Sequence, residues 1–488
     1  MTRFAACLLG SLLAALCAGC GFANGDVFTP FGPTGGPALP APTVVTSLSQ
    51  ASAEWSRYGE AVAWLDWNDD GIGDALIGAP GEPVGREPEA GVVELHLGRN
   101  DGTFQHVRTF TCLDWSVLPS AGAQLGAAIT VGDWDGDGRT DFALGAPGET
   151  VDGMPGAGRL YFVFNTPGGE GFTVGPFADP SGPSPEAAFG EALAGGRVDG
   201  NAIDDLVVAA PGAPFDGEPG VGHVVVFYDA QRAPFGLDVS LPVRSEEPEA
   251  DARFGAALAV GDLTNDGAPE VIIGAPDASG GAGGRVETWR LLAPNAPLHV
   301  LTTKASTRNP PTGKRVGFGS FVVLGDVNAD GVLDLAVGAP QGEHLLMAAT
   351  GFVDVFTYDP VGLRFRALGR LYDLAPGTGT RFGAQLAFGD FDGDTHRDLA
   401  VAAPDASVPL MERAGRVIVF HGDGAGGLFQ PQADDRRRSS HPHPGARFGA
   451  SLAAWDDADR SQLLIGAPGT GITPQTPGRV QLLAEERP

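Results

Sequence analysis

Four aspartates lie within nine positions of the segment GDWDGDGRTDFALGAPG at 132–148, namely Asp133, Asp135, Asp137 and Asp141. Carboxylates a few ångströms apart repel one another, and burying them unpaired costs far more, so a cation is expected among them. Alternate acidic residues place carboxylates on one side of a turning backbone, and Gly138 allows a sharp turn. Such a flexible cage of oxygen ligands suits calcium. Because Asp- and Gly-rich segments are also ordinary surface turns, the interpretation depends on whether the segment recurs.

The segment belongs to a unit that is repeated seven times. A Phe-Gly-like pair precedes each acidic loop by eight residues, and a Gly-Ala-Pro-like turn follows it. Successive pairs are 67, 64, 65, 64, 64 and 66 residues apart. They begin at Tyr58, Leu125, Phe189, Phe254, Phe318, Phe382 and Phe448. Such a constant period indicates one repeated structural unit.

Each unit has the pattern of four short β-strands. An apolar stretch such as AAITVGD leads into the acidic loop, FALGAP follows it, and GRLYFVF comes after a Gly-rich loop. A weaker fourth strand follows, for example at 105–112. A linear β-solenoid is the alternative, but its coils are usually much shorter. The pattern therefore predicts an all-β fold, a seven-bladed β-propeller of four-stranded antiparallel blades.

The two ends of the chain are expected to close the ring. The seventh unit has strands near 448–455, 462–466 and 478–484, and no fourth strand follows them. The segment PTVVTSLSQ at about 42–50 precedes Tyr58 much as the fourth strands precede the later Phe-Gly pairs. We expect this N-terminal strand to complete the last blade, so that residues 42–488 form one domain.

The N-terminal segment and the composition predict an exported protein. The formal net charge of −29 argues against nucleic acid and anionic membrane surfaces as partners. Residues 1–19 read as a signal peptide. The sequence LCAGC resembles the bacterial lipobox, which implies lipidation of Cys20, followed by a Gly/Pro-rich tether at 20–41. The protein is thus expected in the bacterial cell envelope, at the outer membrane or cell surface. It is expected to contact the membrane only through its lipid anchor. Cys112 is expected to be a buried thiol.

The repeated pairs, loops and turns resemble the Phe-Gly/Gly-Ala-Pro (FG-GAP) repeat family, known from the N-terminal propeller of integrin α subunits and from bacterial exported proteins. The resemblance covers all seven units. It implies that the acidic loops bind calcium in hairpins on one face of the ring, and that the opposite face holds ligands. Five loops match the ligand pattern, which predicts four or five structural calcium ions. Their ligands would be Asp66, Asn68, Asp70 and Asp74; Asp133, Asp135, Asp137 and Asp141; Asp262, Thr264, Asp266 and Glu270; Asp326, Asn328, Asp330 and Asp334; and Asp390, Asp392, Asp394 and Asp398.

Two loops depart from the ligand pattern, and one of the five has Thr395 in place of the turn glycine. In the third unit Arg197 stands at the first ligand position and Ala202 at the glycine position, leaving Asp199, Asn201 and Asp205. A cationic side chain there could occupy the site instead of an ion. In the seventh unit the loop is two residues shorter, so that it is not expected to close the same cage with Asp456, Asp457 and Asp459.

Two tryptophans, Trp67 and Trp134, stand second in their loops. They could be exposed aromatic groups that bind a ligand, or they could pack between blades. Packing is favoured, because Leu263, Val327 and Phe391 occupy the same position in other units.

The leading functional hypothesis is a non-enzymatic, calcium-stabilised binding or adhesion module that recognises a protein or polysaccharide. The ligand is expected on the face opposite the calcium loops, where the connections at 81–90, 148–157, 341–350 and 405–414 gather. The alternatives are a lyase-like propeller enzyme acting on polysaccharide and a scaffold component of an envelope assembly.

Catalytic motifs give the enzyme alternative little support. The sequence has no H-E-x-x-H and no G-x-S-x-G motif. The best polar cluster lies at 434–449 and contains Arg436, Arg437, Arg438, His441 and His443. It could hold an anionic sugar or phosphate, but a solvated loop is the favoured interpretation.

Overall fold

The structure of the protein is a computed structural model. It describes residues 44–48, 56–169, 171–228, 238–278, 283–293, 297–304, 316–344, 347–422, 436–440, 442–457, 460–469 and 478–483. The predictions for the signal peptide, for Cys20 and for the tether lie outside these residues, as do His441 and Asp459.

The described part of the chain contains 28 β-strands in seven antiparallel sheets of four strands each, here called blades 1 to 7. Blade 1 consists of β2 (Val62–Leu65), β3 (Asp74–Ala79), β4 (Val92–Gly98) and β5 (Phe104–Phe110). Blade 2 consists of β6 (Ala128–Gly132), β7 (Asp141–Ala146), β8 (Arg159–Phe164) and β9 (Phe172–Phe177). Blade 3 consists of β10 (Leu193–Gly196), β11 (Asp205–Ala210), β12 (His223–Tyr228) and β13 (Asp238–Val239). A short 3-10 helix, Cys112–Trp115, connects blade 1 to blade 2.

The remaining blades follow the same order. Blade 4 consists of β14 (Ala257–Gly261), β15 (Glu270–Ala275), β16 (Arg285–Arg290) and β17 (Leu298–Lys304). Blade 5 consists of β18 (Phe321–Gly325), β19 (Asp334–Ala339), β20 (Phe352–Asp359) and β21 (Arg364–Leu371). Blade 6 consists of β22 (Leu386–Gly389), β23 (Asp398–Ala403), β24 (Arg416–Phe420) and β25 (Arg436–Arg437). Blade 7 consists of β26 (Ser451–Asp456), β27 (Ser461–Ala467), β28 (Arg479–Leu483) and β1 (Val44–Leu48).

The blades close into a ring. The first strand of each blade contacts the first strand of the next, and β26 of blade 7 contacts β2 of blade 1. In blade 7 the N-terminal strand β1 pairs antiparallel with β28, with Leu48 opposite Val480 and Ser47 opposite Gln481. Both the seven-bladed propeller and its closure by the N-terminal strand are therefore confirmed. Closure gives blade 7 four strands like the others, because β1 covers the edge of β28.

The repeated Phe-Gly pair packs against the preceding blade. Phe189, for example, is fully buried and forms a parallel bridge with Gly158 at the start of the third strand of blade 2. Gly158 has φ +85°, and a Cβ there would overlap the backbone of Phe189. The same position is glycine in all seven units: Gly91, Gly158, Gly222, Gly284, Gly351, Gly415 and Gly478. Close backbone approach between blades thus explains this part of the repeat.

The loop tryptophans pack between blades, as the sequence favoured. Trp67 is 3% exposed and Trp134 is fully buried. The Trp67 ring lies 5.4 Å from that of Phe142 in blade 2, and its Nε1 donates to the carbonyl of Gly169 at 2.8 Å. Cys112 is a buried free thiol, again as expected. Among the described residues we find no helix with the length and apolar character needed to cross a membrane.

Candidate calcium sites

The acidic loops connect the first and second strands of the blades and are here numbered by blade. Because the first and second strands of every blade run in opposite directions, all of these loops lie at the same end of the ring. In loop 2 the pairing of Gly132 with Asp141 closes the hairpin. The loop face of the propeller therefore gathers most of the predicted calcium ligands.

The last acidic residue of a loop is buried and ties the loop to the rest of its blade. Asp141 is fully buried, and its carboxylate accepts hydrogen bonds from the backbone N of Trp134 at 3.1 Å and of Asn165 at 2.8 Å. Asp74 in loop 1 does the same with Trp67 at 2.8 Å and Gly98 at 2.7 Å. One side chain thus links the loop, the second strand and the end of the third strand.

The first acidic residue organises the outer turn of its loop. Asp326 accepts hydrogen bonds from the backbone N of Asp330 at 3.2 Å and of Gly331 at 2.8 Å. In loop 6 Asp390 accepts from Asp394 at 3.1 Å and from Thr395 at 2.9 Å. Thr395 adopts φ 75°, so it takes the turn conformation that glycine adopts elsewhere. The missing glycine therefore leaves the turn of loop 6 intact.

Burial makes the innermost carboxylates hard to ionise. Burial, together with the neighbouring loop carboxylates, raises the pKa of Asp74 to about 6, of Asp141 to about 7 and of Asp334 to about 6, although backbone hydrogen bonds oppose the shift. Each of these loops holds more negative charge than its hydrogen bonds compensate. A bound cation would remove this penalty.

Loop 2 has the donor set that calcium requires. Carboxylate oxygens of Asp133, Asp135 and Asp141 lie within 4.8 Å of one another. Asp133 Oδ1 is buried and has no hydrogen-bond partner among the described residues. An unpartnered anionic oxygen beside two further carboxylates fits a hard cation with oxygen ligands. The residues of loop 2 therefore fit calcium.

Loop 4 does not fit calcium, because an arginine lies among its predicted ligands. The guanidinium of Arg290 contacts Thr264, Asp266 and Glu270. In loop 6 the imidazole of His421 stands beside the carboxylates, with Nδ1 3.3 Å from Asp392 Oδ2 and 3.3 Å from Asp398 Oδ1. The loop sequences alone do not reveal Arg290 and His421, because these residues lie at the end of the third strand of their blades. The signal that would find them is their place six residues after the glycine that precedes that strand.

Acidic residues of loops 3 and 7 pair with arginines. Arg197 does not enter loop 3: its side chain is 62% exposed and lies 3.7 Å from Asp204. The expectation that a cation from this position fills the site is therefore wrong, because the Arg197 side chain points to solvent and Asp204. In loop 7 Asp456 forms a bidentate pair with Arg397 of blade 6, with both N–O distances 2.6 Å.

Family models match four stretches of the chain. Residues 254–286, 318–355 and 382–420 match the FG-GAP repeat, and residues 66–144 match the FG-GAP-like repeat. These stretches cover acidic loops whose geometry is described above. The chain contains FG-GAP repeats and folds as a seven-bladed β-propeller.

The relatives of this FG-GAP propeller fall into two groups. It is 25% identical to phosphatidylinositol-glycan-specific phospholipase D of Bos taurus over 474 residues, which cover 85% of this chain and 53% of the relative. It is 32% identical to human integrin alpha-IIb over 268 residues, or 51% of this chain and 24% of the relative. Integrin alpha-PS5 of Drosophila melanogaster is 34% identical over 165 residues, or 32% of this chain and 16% of the relative. The chain thus spans about half the length of the phospholipase relative.

The prediction that the protein is not an enzyme is contradicted by its relatives. The relatives that align with most of the propeller are named as phospholipases, which are enzymes. The prediction relied on missing local motifs, but catalytic groups are assembled in space from distant parts of a chain. A search for short motifs therefore gave no basis for excluding catalysis.

The arginines of the 434–449 segment differ in burial, since Arg436 is half-buried, Arg437 is buried and Arg438 is exposed. Arg436 and Arg437 form β25, the outermost strand of blade 6, and Arg437 is buried. His443 is partly buried, and its Nδ1 lies 3.2 Å from the carbonyl of Pro444. The candidate anion site at this segment stays a prediction.

Tight turns form the face of the propeller opposite the acidic loops. In five blades the connection between the second and third strands contains a short antiparallel bridge, such as Val151 with Met154 and Phe215 with Glu218. Apolar side chains project from these turns: Met154 is 39%, Phe215 39% and Leu410 102% exposed. This face, here called the turn face, has the exposed and varied side chains that recognition requires.

Proposed function

We propose that this FG-GAP propeller is an exported, calcium-stabilised module that recognises a protein or polysaccharide ligand at its turn face. The observation that carries the calcium part is loop 2, where Asp133 Oδ1 is buried beside Asp135 and Asp141 and has no hydrogen-bond partner among the described residues. The similarity to integrin alpha subunits supports a role in adhesion. The lipobox-like LCAGC sequence supports lipid anchoring through Cys20 in the bacterial cell envelope.

Calcium would act on the fold and not on a reaction. In loops 1, 2 and 5 the ion would cross-link the outer turn to the buried last acid, which accepts a hydrogen bond from the loop backbone. In loops 1 and 2 this acid also accepts one from the end of the third strand. Extracellular calcium modules bind with Kd on the order of 10⁻⁴–10⁻³ M. At about 1 mM calcium each site would then add about 0.4–1.4 kcal/mol to the free energy of unfolding.

The turn face is the proposed recognition surface because of its place and its chemistry. It lies at the end of the ring away from the acidic loops, so that ligand and calcium would not compete. Phe215 and Met154 are exposed on neighbouring blades 3 and 2. Exposed aromatic and thioether groups are common anchors in protein interfaces.

Metal counting and calorimetry test the calcium part of this proposal. The mature chain, with Cys20→Ser to prevent lipidation, is dialysed against calcium and its bound ions are counted. Its melting temperature is then compared in 2 mM calcium and in EDTA. We expect bound calcium and a higher melting temperature in calcium, and Asp133→Asn should remove one ion. The control Asp216→Asn, at an exposed turn-face position, should leave the count unchanged; a wild-type protein without calcium would refute the proposal.

Ligand binding at the turn face needs a separate test. Binding of the mature chain to envelope polysaccharides and to envelope protein extracts is compared with that of Phe215→Ser and Met154→Ser variants. A matched substitution on the loop face outside the predicted ligands, such as Asn100→Ser at an exposed position beside loop 1, is the control. Loss of binding confined to the turn-face variants supports the proposal, and loss confined to the loop-face variant contradicts it.

A second candidate function is hydrolysis of a phosphatidylinositol-glycan anchor. The similarity that favours it is the 25% identity over 85% of the chain to a phospholipase named for that substrate. Release of an anchored protein from vesicles by the purified chain would support this function. Vesicles without enzyme and boiled protein are the controls.

A further inference from the structure

In blades 1 to 6 one position on the third strand lies opposite the last acidic residue of the loop. In blade 4 Val271 pairs with Trp289, so that Glu270, the last acid of loop 4, lies opposite Arg290. The same register holds in the other blades, because the pairs Ala75 with His96 and Phe142 with Val163 are equivalent. The residues at this position, in blade order from 1 to 6, are Leu97, Phe164, Tyr228, Arg290, Thr357 and His421. The side chain that faces the cage therefore differs between blades.

We propose that Arg290 is the resident cation of loop 4, and that this loop binds no calcium although it matches the ligand pattern. The inference rests on the proposed calcium function of the other loops. It separates loop 4, where the third strand supplies a positive charge, from loops 1, 2 and 5, where the equivalent third-strand residue is not basic.

The guanidinium occupies the place that an ion would take. Its Nη2 lies 2.6 Å from Asp266 Oδ2, 2.7 Å from Thr264 Oγ1 and 2.6 Å from Glu270 Oε1. Its Nε donates to Glu270 Oε1 at 2.8 Å. Calcium needs its oxygen ligands at about 2.3–2.6 Å. The ion and the guanidinium cannot contact the same three oxygens at once.

The departures of loop 4 from the other loops fit an arginine. Glu270 is one methylene longer than the aspartates at this position, and it serves both partners: Oε2 accepts from the backbone N of Leu263 at 2.9 Å and of Thr264 at 3.1 Å, while Oε1 faces Arg290. Thr264 offers a neutral hydroxyl where loop 2 has a carboxylate. Two of the four ligand positions thus carry residues suited to a guanidinium in the blade that supplies one.

The low solvent exposure of the Arg290–Glu270 pair favours the arginine over a free calcium ion in loop 4. Glu270 is fully buried and the Arg290 side chain is 20% exposed, so that the pair is largely screened from water. A buried charge-assisted hydrogen bond of this kind is strong. To bind in loop 4, calcium would have to displace the guanidinium and leave it without its acidic partners, which costs free energy. Calcium binding to a loop without such an arginine does not carry this cost.

Blade 2 shows the opposite arrangement. There Phe164 stands at the position of Arg290, and its ring stacks on Phe172 at 5.2 Å instead of entering the loop. The third strand supplies no cation to loop 2. Arg139 within the loop pairs with Asp137 at 3.0 Å, but Asp133 Oδ1 has no hydrogen-bond partner in the described part of the chain. The two blades therefore make a matched pair for an experiment.

Ion counts on the mature Cys20→Ser chain test the inference. Asp262→Asn in loop 4 should leave the number of bound calcium ions unchanged, whereas Asp133→Asn in loop 2 should lower it by one. Arg290→Leu, which introduces the residue that blade 1 has at this position, should raise the number by one. Arg290→Lys, which keeps the charge, should retain the wild-type number. A loss of one ion with Asp262→Asn would overturn the inference.

Melting in EDTA separates this inference from the calcium function. Arg290→Leu should lower the melting temperature in EDTA and regain stability in calcium, because the emptied loop then needs an ion. If the wild-type chain binds no calcium, the proposed function fails; the inference survives only if Arg290→Leu both melts lower in EDTA and binds calcium. If Arg290→Leu melts like the wild type in EDTA, the inference is overturned even when other loops bind calcium. Should Arg290→Leu fail to fold, the paired result with Asp262→Asn and Asp133→Asn decides the question.

Discussion

The carboxylate of Asp141 joins two backbone amides that are 31 residues apart: it accepts from Trp134 at 3.1 Å and from Asn165 at 2.8 Å. Asp141→Ala should therefore leave two buried N–H groups unpaired and lower the free energy of unfolding by about 3 kcal/mol. The measurement is urea unfolding in EDTA, so that bound metal does not contribute. Asp137→Ala, at an exposed position of the same loop, is the control and should change stability by less than about 1 kcal/mol. Equal effects of the two variants would contradict this account.

Close packing of backbones between blades predicts a strong effect of Gly158→Ala. Gly158 combines φ +85° with a Cβ position that overlaps Phe189, so we expect a loss of roughly 3 kcal/mol or more. Gly153→Ala is the matched control, because Gly153 has φ +81° but nothing within 4 Å of its Cβ position. It should lose only the conformational part, about 1 kcal/mol. Thermal unfolding of both variants measures the difference, and a similar loss for both would argue against inter-blade overlap.

Closure of the ring by β1 predicts a sharp effect of truncation. Removing the chain through Leu48 takes away the strand that pairs with β28 and leaves an unpaired edge in blade 7. We expect a large fall in melting temperature and association through the exposed edge. A truncation that ends before Val44 keeps β1 and is the control. Calorimetry and size-exclusion chromatography measure the two effects; a fully stable monomer without β1 would show that the ring closes without it.

A buried ion pair between blades 2 and 3 predicts acid sensitivity. Burial opposes ionisation of Asp179, but the hydrogen bond and charge of His223, 3.0 Å away, outweigh it and lower the pKa of Asp179 below its ordinary value of 3.8. A carboxylate whose folded pKa is depressed stabilises the fold above its unfolded pKa, and this contribution is lost as the pH falls through the folded pKa. Stability should therefore decline as the pH falls below about 4.

Variants of the pair test this origin of the acid sensitivity. Asp179→Asn should flatten the decline below about pH 4, because the titrating group is gone. Asp216→Asn replaces an exposed carboxylate and should preserve the decline. The measurement is the free energy of unfolding against pH in both variants. An unchanged acid profile in Asp179→Asn would assign the effect to other carboxylates.

Much of the fold could be read from the sequence because its determinants are local and repeated. Each Phe-Gly pair, acidic loop and Gly-Ala-Pro turn lies within a short stretch, and the constant spacing fixes the number of blades. The missing fourth strand of the last unit and the spare strand near residue 44 predicted the closure that pairs Leu48 with Val480. The burial of Trp67 and Trp134 followed from apolar residues at equivalent positions.

The cation chemistry of the single loops was decided only in three dimensions. Loops 2 and 4 both match the ligand pattern, yet Arg290 enters loop 4 whereas Phe164 leaves loop 2 open. Arg290 follows Glu270 by 20 residues and meets it only because two strands pair in one register. Likewise, Asp179 and His223 are 44 residues apart and meet only between blades. The sequence by itself determined the repeated scaffold, since local patterns specify strands and turns, whereas charge compensation depends on side chains that only strand pairing and blade packing bring together.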